Sequence, residues 1–362
     1  MEPIEPKPAS EIAPAPAAET RHPFEFRGTG AAYFGIWIVN LVLTVVTLGI
    51  FSAWAKVRTR RYFNGSTWLA GHAFDYHASP VRILIGRTIA FVLLLAYSIS
   101  VHFSPLLGLV WFLAGLWIFP WLANSSIRFN ARNTSYRNVR FNFTATEVEA
   151  FVALIVWWLV GMITLGIMVP FAQRQKDYYY INNHTYGGRY FETKFPVWRM
   201  YVIFGIGLVA FVVLFGSMMG LVFSLAWTMQ QHFAAPPLTA HSVTTLAVMA
   251  VFYIGFLLIP PAIHTMIVNL SVSHTVFDDK HRLESTMSPL MMAWIIFSNV
   301  VLCIVTIGFF YPWARVRLAR YQMAHLTLIA EGDIDAYVSE VFETQSAVGE
   351  EIGSVFSFDF GL

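Results

Sequence analysis

The 362-residue chain is 57% hydrophobic and 16% aromatic but only 12% charged, against about 25% charged residues in ordinary soluble domains. Too few polar groups remain to coat a water-facing surface, so a wholly soluble globular protein is excluded and most of the length is assigned to lipid. A formal charge of +2 gives nucleic acid no global electrostatic hold, and the lone Cys303 has no intrachain disulfide partner.

Residues 1–23 carry six of the 17 prolines and four acids, with no apolar run to serve a signal peptide. They are expected to form a disordered Pro/Ala-rich tail. Seven apolar stretches follow, near 31–55, 83–103, 105–123, 148–172, 201–228, 243–265 and 288–313. Each approaches or exceeds the ~20 residues that span a bilayer. Seven strictly alternating spans would leave 10 Lys and Arg on one side and 12 on the other, which is no bias at all. If the first, fourth and seventh stretches enter and leave by the same face, all 22 loop charges fall on one side. Arg87, inside the second stretch, then snorkels toward that face.

The reading preferred on this ground is an α-helical polytopic membrane protein. It has four spanning helices, three broken or re-entrant segments (31–55, 148–172 and 288–313) and short cytoplasmic β-hairpins; a plain seven-helix bundle is the alternative. Each of the three segments carries its own break: Thr47-Leu48-Gly49, Thr164-Leu165-Gly166 and Thr306-Ile307-Gly308, the last two followed by Pro170 and Pro312. Glycine and proline both interrupt helical hydrogen bonding.

The hairpins come from a recurring phrase. Thr67, Thr134, Thr185, Thr275 and Thr327 lie thirteen or fourteen residues past Trp54, Trp121, Phe171, Ala262 and Trp313. Alternating segments flank Ala70-Gly71, Arg137-Asn138 and Gly187-Gly188, which suit two-residue turns. Phe24-Glu25-Phe26 and Phe356 to Phe360 offer two more strands. Isolated hairpins are marginal, so these are expected to pair into a small sheet or collar. A membrane domain over 24–320 then ends in an acidic segment, 321–362, with eight acids and no Lys or Arg.

At these residues a family pattern emerges. Phe24-Glu25-Phe26-Arg27-Gly28, Trp37, Asn40, Thr47-Leu48-Gly49-Ile50, Trp54-Ala55-Lys56-Val57-Arg58 and Arg61-Tyr62-Phe63 resemble the YjgN-like family. These are bacterial inner-membrane proteins classed as a domain of unknown function. The resemblance runs from about residue 24 to the C-terminal Phe-Asp-Phe-Gly-Leu. It implies a location in the bacterial inner membrane and brings no activity or site residues; the charge placement leads to a multi-pass protein with both termini expected to be cytoplasmic.

Two functional classes remain. In a transporter or pore for a small solute, Asn40, Thr47, Thr164, Asn299 and Thr306 are expected to line a polar pathway; the alternative role for such residues is interhelical hydrogen bonding. In a non-catalytic scaffold, Arg58, Arg60, Arg61, Arg174, Arg315 and Arg317 would hold anionic lipid headgroups. Neither class calls for a cofactor. His72 and His77, and His274 with Asp278, Asp279 and His281, lack ligand spacing and read as solvated loop residues rather than a metal site. No GxSxG, HExxH or GxxxxGK[ST] occurs, so no enzyme is expected. The bilayer itself is the expected partner.

Overall fold

The structure, a computed structural model, describes residues 19–231, 238–332 and 334–343. The chain alternates short strands with pairs of helices. It begins with β1 (Glu19–Phe26), α1 (Gly30–Val46), α2 (Ser52–Ser66), β2 (Thr67–Leu69) and β3 (His72–Tyr76). Then come α3 (Pro80–Phe103), α4 (Pro105–Arg132), β4 (Thr134–Tyr136) and β5 (Val139–Phe143). A third helical unit follows: α5 (Glu147–Phe151), a π-helical turn (Val152–Val156), α6 (Trp157–Ile163) and α7 (Val169–Asn182). It leads into β6 (His184–Tyr186), β7 (Arg189–Thr193), α8 (Val197–Gln231) and α9 (Leu238–Ser273). The chain continues through β8 (Thr275–Phe277), β9 (His281–Ser285), α10 (Pro289–Val305), α11 (Tyr311–Ala324) and β10 (Leu326–Glu331). A last helix, α12, covers 334–343.

The ten strands close into one antiparallel barrel, and this overturns the expected fold class. The hairpins are not accessories on an α-helical bundle: they are consecutive staves of a single cylinder. Closure depends on β1, whose first half pairs with β10 (Glu19 opposite Glu331) and whose second half pairs with β2 (Phe24 opposite Leu69). Full closure leaves no sheet edge, which stabilises strands only three to six residues long elsewhere in the barrel. The barrel also crosses the expected domain limits. It takes 19–23 from the segment read as a disordered tail and 326–331 from the acidic segment. The strand expected at 356–360 lies outside the described residues.

Local chemistry sets the turns. Ala70 and Gly71, Arg137 and Asn138, and Gly187 and Gly188 all have positive φ, the requirement for tight hairpins that match strand twist. The β8–β9 connection is one residue longer, with positive φ at Asp278 and Asp279 and with Phe277 opposite His281.

Four helices, α3, α4, α8 and α9, contain the segments long and apolar enough to cross a membrane among the described residues. The 24 residues of α3 reach about 36 Å at ~1.5 Å per residue, and none of them is buried. Apolar side chains cover the helix all round, as lipid contact requires.

The other three helical units turn back early. At each break a threonine hydroxyl donates to the carbonyl four residues back and accepts the amide four residues ahead. Thr47 bonds Leu43 O (2.7 Å) and Phe51 N (2.9 Å). Thr164 bonds Val160 O (2.8 Å) and Met168 N (3.2 Å), and Thr306 bonds Leu302 O (2.7 Å) and Phe310 N (2.9 Å). Between the two bonds, Leu48, Leu165 and Ile307 take φ near +50° and the following glycines φ near +90°. Leu48 and Leu165 are each 94% exposed, so the tips present bare hydrocarbon.

Candidate functional site

Strand alternation sends every second side chain into the barrel. The register stacks ten of them as five facing pairs: Phe24 with Leu69, Phe74 with Tyr136, Phe141 with Tyr186, Phe191 with Phe277, and Leu283 with Leu328. One pair comes from each junction between neighbouring hairpins. The phenylalanines continue around the wall nearly parallel, with Phe24–Phe74 centroids at 6.2 Å, Phe74–Phe141 at 6.3 Å and Phe141–Phe191 at 6.5 Å.

These side chains enclose a chamber of about 220 Å³. An engineered apolar cavity of about 150 Å³ stays dry and binds benzene, so this one has room for an apolar guest. Among the described residues no Lys, Arg, Asp or Glu lines it. The wall tyrosines turn their hydroxyls into the backbone: Tyr136 donates to Leu69 O at 2.8 Å and Tyr186 to Tyr136 O at 3.1 Å. Burial pushes both phenols above their ordinary pKa.

Helix α12 lies against the hairpin-turn end of the chamber. Its Ile334, Tyr337, Val338 and Val341 share one face and join the barrel core. Its rim is tied by Arg137 to Asp335, by Arg189 to Glu340 at 3.9 Å, and by the Tyr337 hydroxyl donating to Asp278 Oδ2 at 2.9 Å. The contact is close: a Cβ added at Gly187 would sit 1.8 Å from Val341 Cγ1.

Each residue of the sequence-expected polar pathway makes hydrogen bonds or packs locally, within or across its own helix break. Asn40 is buried in α1 and reaches Ala55 O across the break at 3.5 Å; its Oδ1 has no partner among the described residues. Asn299 makes the same crossing in α10, donating to Ala314 O at 3.2 Å and accepting from Arg317 at 3.3 Å. In the third unit Trp157 packs against Phe171 instead, at 4.7 Å. Thr47, Thr164 and Thr306 are the clamps described above, both faces of each hydroxyl engaged.

The basic residues divide similarly. Arg61 donates to Tyr76 O (3.2 Å), and Arg174 to Phe195 O (3.1 Å) while stacking on Tyr178 at 4.6 Å. Arg60 lies over Tyr76, and Arg315 over Phe63 while donating to the Tyr311 hydroxyl. Arg317 bonds Ser298 at 2.9 Å as well as Asn299. Arg58 is exposed. Arg128, Asn269 and Arg320 donate in the same way to Phe143 O, Met287 O and Gly28 O, so side-chain donors clasp the strand-to-helix junctions around the barrel.

The histidines do not gather. His77 bonds the Ser135 hydroxyl at 2.8 Å, His72 the carbonyl of Ala70 and His274 that of Leu270. His281 departs from its reading as a solvated loop residue: it is 3% exposed, inside the chamber wall. Sequence reasoning missed it because the β8–β9 connection is one residue longer than the two-residue turns of the other hairpins, which hides the strand alternation. The inward rhythm Phe277, His281, Leu283 was the available signal.

The wider comparisons agree in one direction. Over 356 residues the chain is 24% identical to the inner membrane protein YjgN of Salmonella typhimurium (strain LT2), covering 87% of this chain and 90% of that one. It is 27% identical to the inner membrane protein YjgN of Escherichia coli (strain K12) over 208 residues, covering 57% of this chain and 49% of that one. No solved structure matches. The pattern of one family, bacterial proteins of unknown function (DUF898), matches residues 21–355, and the chain belongs to that family.

Proposed function

We propose that this is a non-enzymatic inner-membrane protein whose barrel takes up an apolar guest from the bilayer on which it is seated. The observation that carries the reading is the chamber, ringed by the ten strands and walled by aromatic and aliphatic side chains. Such a volume gains by filling with hydrocarbon, because its walls otherwise lack contacts on one side. The bilayer supplies candidates, and the apolar helices hold the barrel at its surface. The relatives' inner-membrane names support a location at that membrane, and the positive-inside rule favours a cytoplasmic barrel with both ends of the chain on the same side.

A polar-solute route is less well supported, because most of its expected side chains are engaged with backbone. Binding through the basic residues, of which Arg58, Arg61 and Arg315 are exposed, is a weaker case.

The test is photolabelling in nanodiscs that contain a lipid with a diazirine on its acyl chain. Crosslinked peptides are expected from β3, β5 and β7, and Leu283→Trp, which fills the chamber, should remove them while leaving labels on α3 and α8. Labelling confined to helices in the wild type would overturn the reading. Sidedness is checked with Ser339→Cys in a Cys303→Ser background, which should resist an impermeant thiol reagent in intact cells.

A further inference from the structure

Among the described residues, the chamber has one buried polar side chain without a hydrogen-bond partner. His281 is buried and lines the wall, and both its ring nitrogens lack a hydrogen-bond partner among the described residues. Its ring is held by aromatic neighbours, with Tyr337 edge-on at 4.4 Å and Phe277 stacked at 6.0 Å. The other polar atoms nearby are engaged: the Tyr337 hydroxyl faces Asp278, and the Tyr136 and Tyr186 hydroxyls face backbone carbonyls. A buried, unpartnered imidazole is unfavourable unless something meets it.

We infer that His281 is the specificity contact of the chamber, and that the guest is a hydrocarbon carrying a single uncharged hydroxyl. The inference rests on the proposed function and names its ligand class. Burial holds the imidazole below the usual histidine pKa, with Asp278 and Glu331 opposing and Lys280 reinforcing the effect. A neutral imidazole presents one N–H and one bare nitrogen. A hydroxyl both donates and accepts, so it can pair with the ring nitrogen it meets in either tautomer. A phosphate or carboxylate head would enter a wall with no cation among the described residues, and a bare hydrocarbon would leave the imidazole unpaired.

The experiment compares two probes of similar shape, phenol and toluene, by equilibrium dialysis against full-length protein in nanodiscs, with protein-free nanodiscs subtracted. Phenol is expected to bind the wild type at least about tenfold more tightly than toluene, a difference of about 1.4 kcal/mol. His281→Phe should erase the preference while still binding toluene. Protein labelled with ¹⁵N in histidine supplies a second readout that needs no variant: one imidazole resonance should move with phenol and stay with toluene. Equal affinities in the wild type, or a preference that survives in His281→Phe, would overturn the assignment to His281 but leave an apolar chamber standing. If toluene and phenol both fail to bind the wild type, the proposed function falls along with the inference.

Discussion

Polar side chains at the helix breaks and in the barrel are engaged to different degrees. At the helix breaks, threonine and asparagine hydrogen-bond across the turn, so polar chemistry there restores backbone bonds lost to the reversal. In the barrel, the tyrosines follow the same rule but His281 does not. The difference teaches where to look for function. Polar residues in apolar helices are first a backbone repair, since unsatisfied groups in lipid are costly, whereas an unengaged imidazole in a shaped chamber has no such structural duty.

The largest break in that comparison is Phe141→Ala. Phe141 touches Phe74, Phe191 and Tyr186, the last at 5.0 Å. Its loss should lower stability by about 3–5 kcal/mol, the usual range for truncating a core phenylalanine. Thermal unfolding followed by near-ultraviolet circular dichroism would register it; a fall below 1 kcal/mol would mean the aromatic wall is not a stabilising unit. Gly187→Ala comes next. Its Cβ collides with Val341 at a position where φ is +58°, so α12 must shift. Protease cleavage within 334–343 should accelerate by roughly the tenfold that each 1.4 kcal/mol represents, with α3, α4, α8 and α9 uncut.

Part of this architecture was legible in the sequence. Apolar length and charge placement located the four long helices, and paired turn residues located three of the four two-strand reversals. Closure was not legible. It rests on β1 splitting its pairing between β10 and β2, and Glu19 to Pro23 lie in a proline-bearing segment whose composition resembles a tail. The chamber was hidden for the same reason, because facing pairs such as Phe24 with Leu69 are 45 residues apart and meet only when the cylinder closes. The family resemblance located the chain among its relatives but carried no site. For the pathway, residue type and spacing were visible while the partners were not: Thr47 reads the same on a page whether it lines a pore or clamps a turn.

Asn299 and Asn40 sharpen the comparison further, since they occupy matching places with unequal partners. Asn299→Leu strands both the Ala314 carbonyl and an Arg317 donor and should cost about 1–3 kcal/mol. Asn40→Leu removes a 3.5 Å bond together with a buried oxygen that has no partner among the described residues, so it should change stability by less than about 0.5 kcal/mol or increase it. Melting temperatures of the two variants under one detergent condition decide it. An equal loss in both would mean that Asn40 has an unrecognised duty.

The smallest expected effect is a slope. Burial lowers the proton affinity of His281 in the folded state, while in the unfolded chain it titrates near its ordinary value of about 6.5. Between those two points the unfolded state binds more protons, so stability is complete above about pH 6.5 and declines as pH falls through the window toward the folded pKa. His184, also lowered by burial, adds a second contribution of the same sign. His281→Phe should therefore flatten the decline of unfolding free energy between pH 7 and 5 without abolishing it. If the slope is unchanged in His281→Phe, the imidazole is reached by water in the folded protein and the chamber is wetter than its walls require.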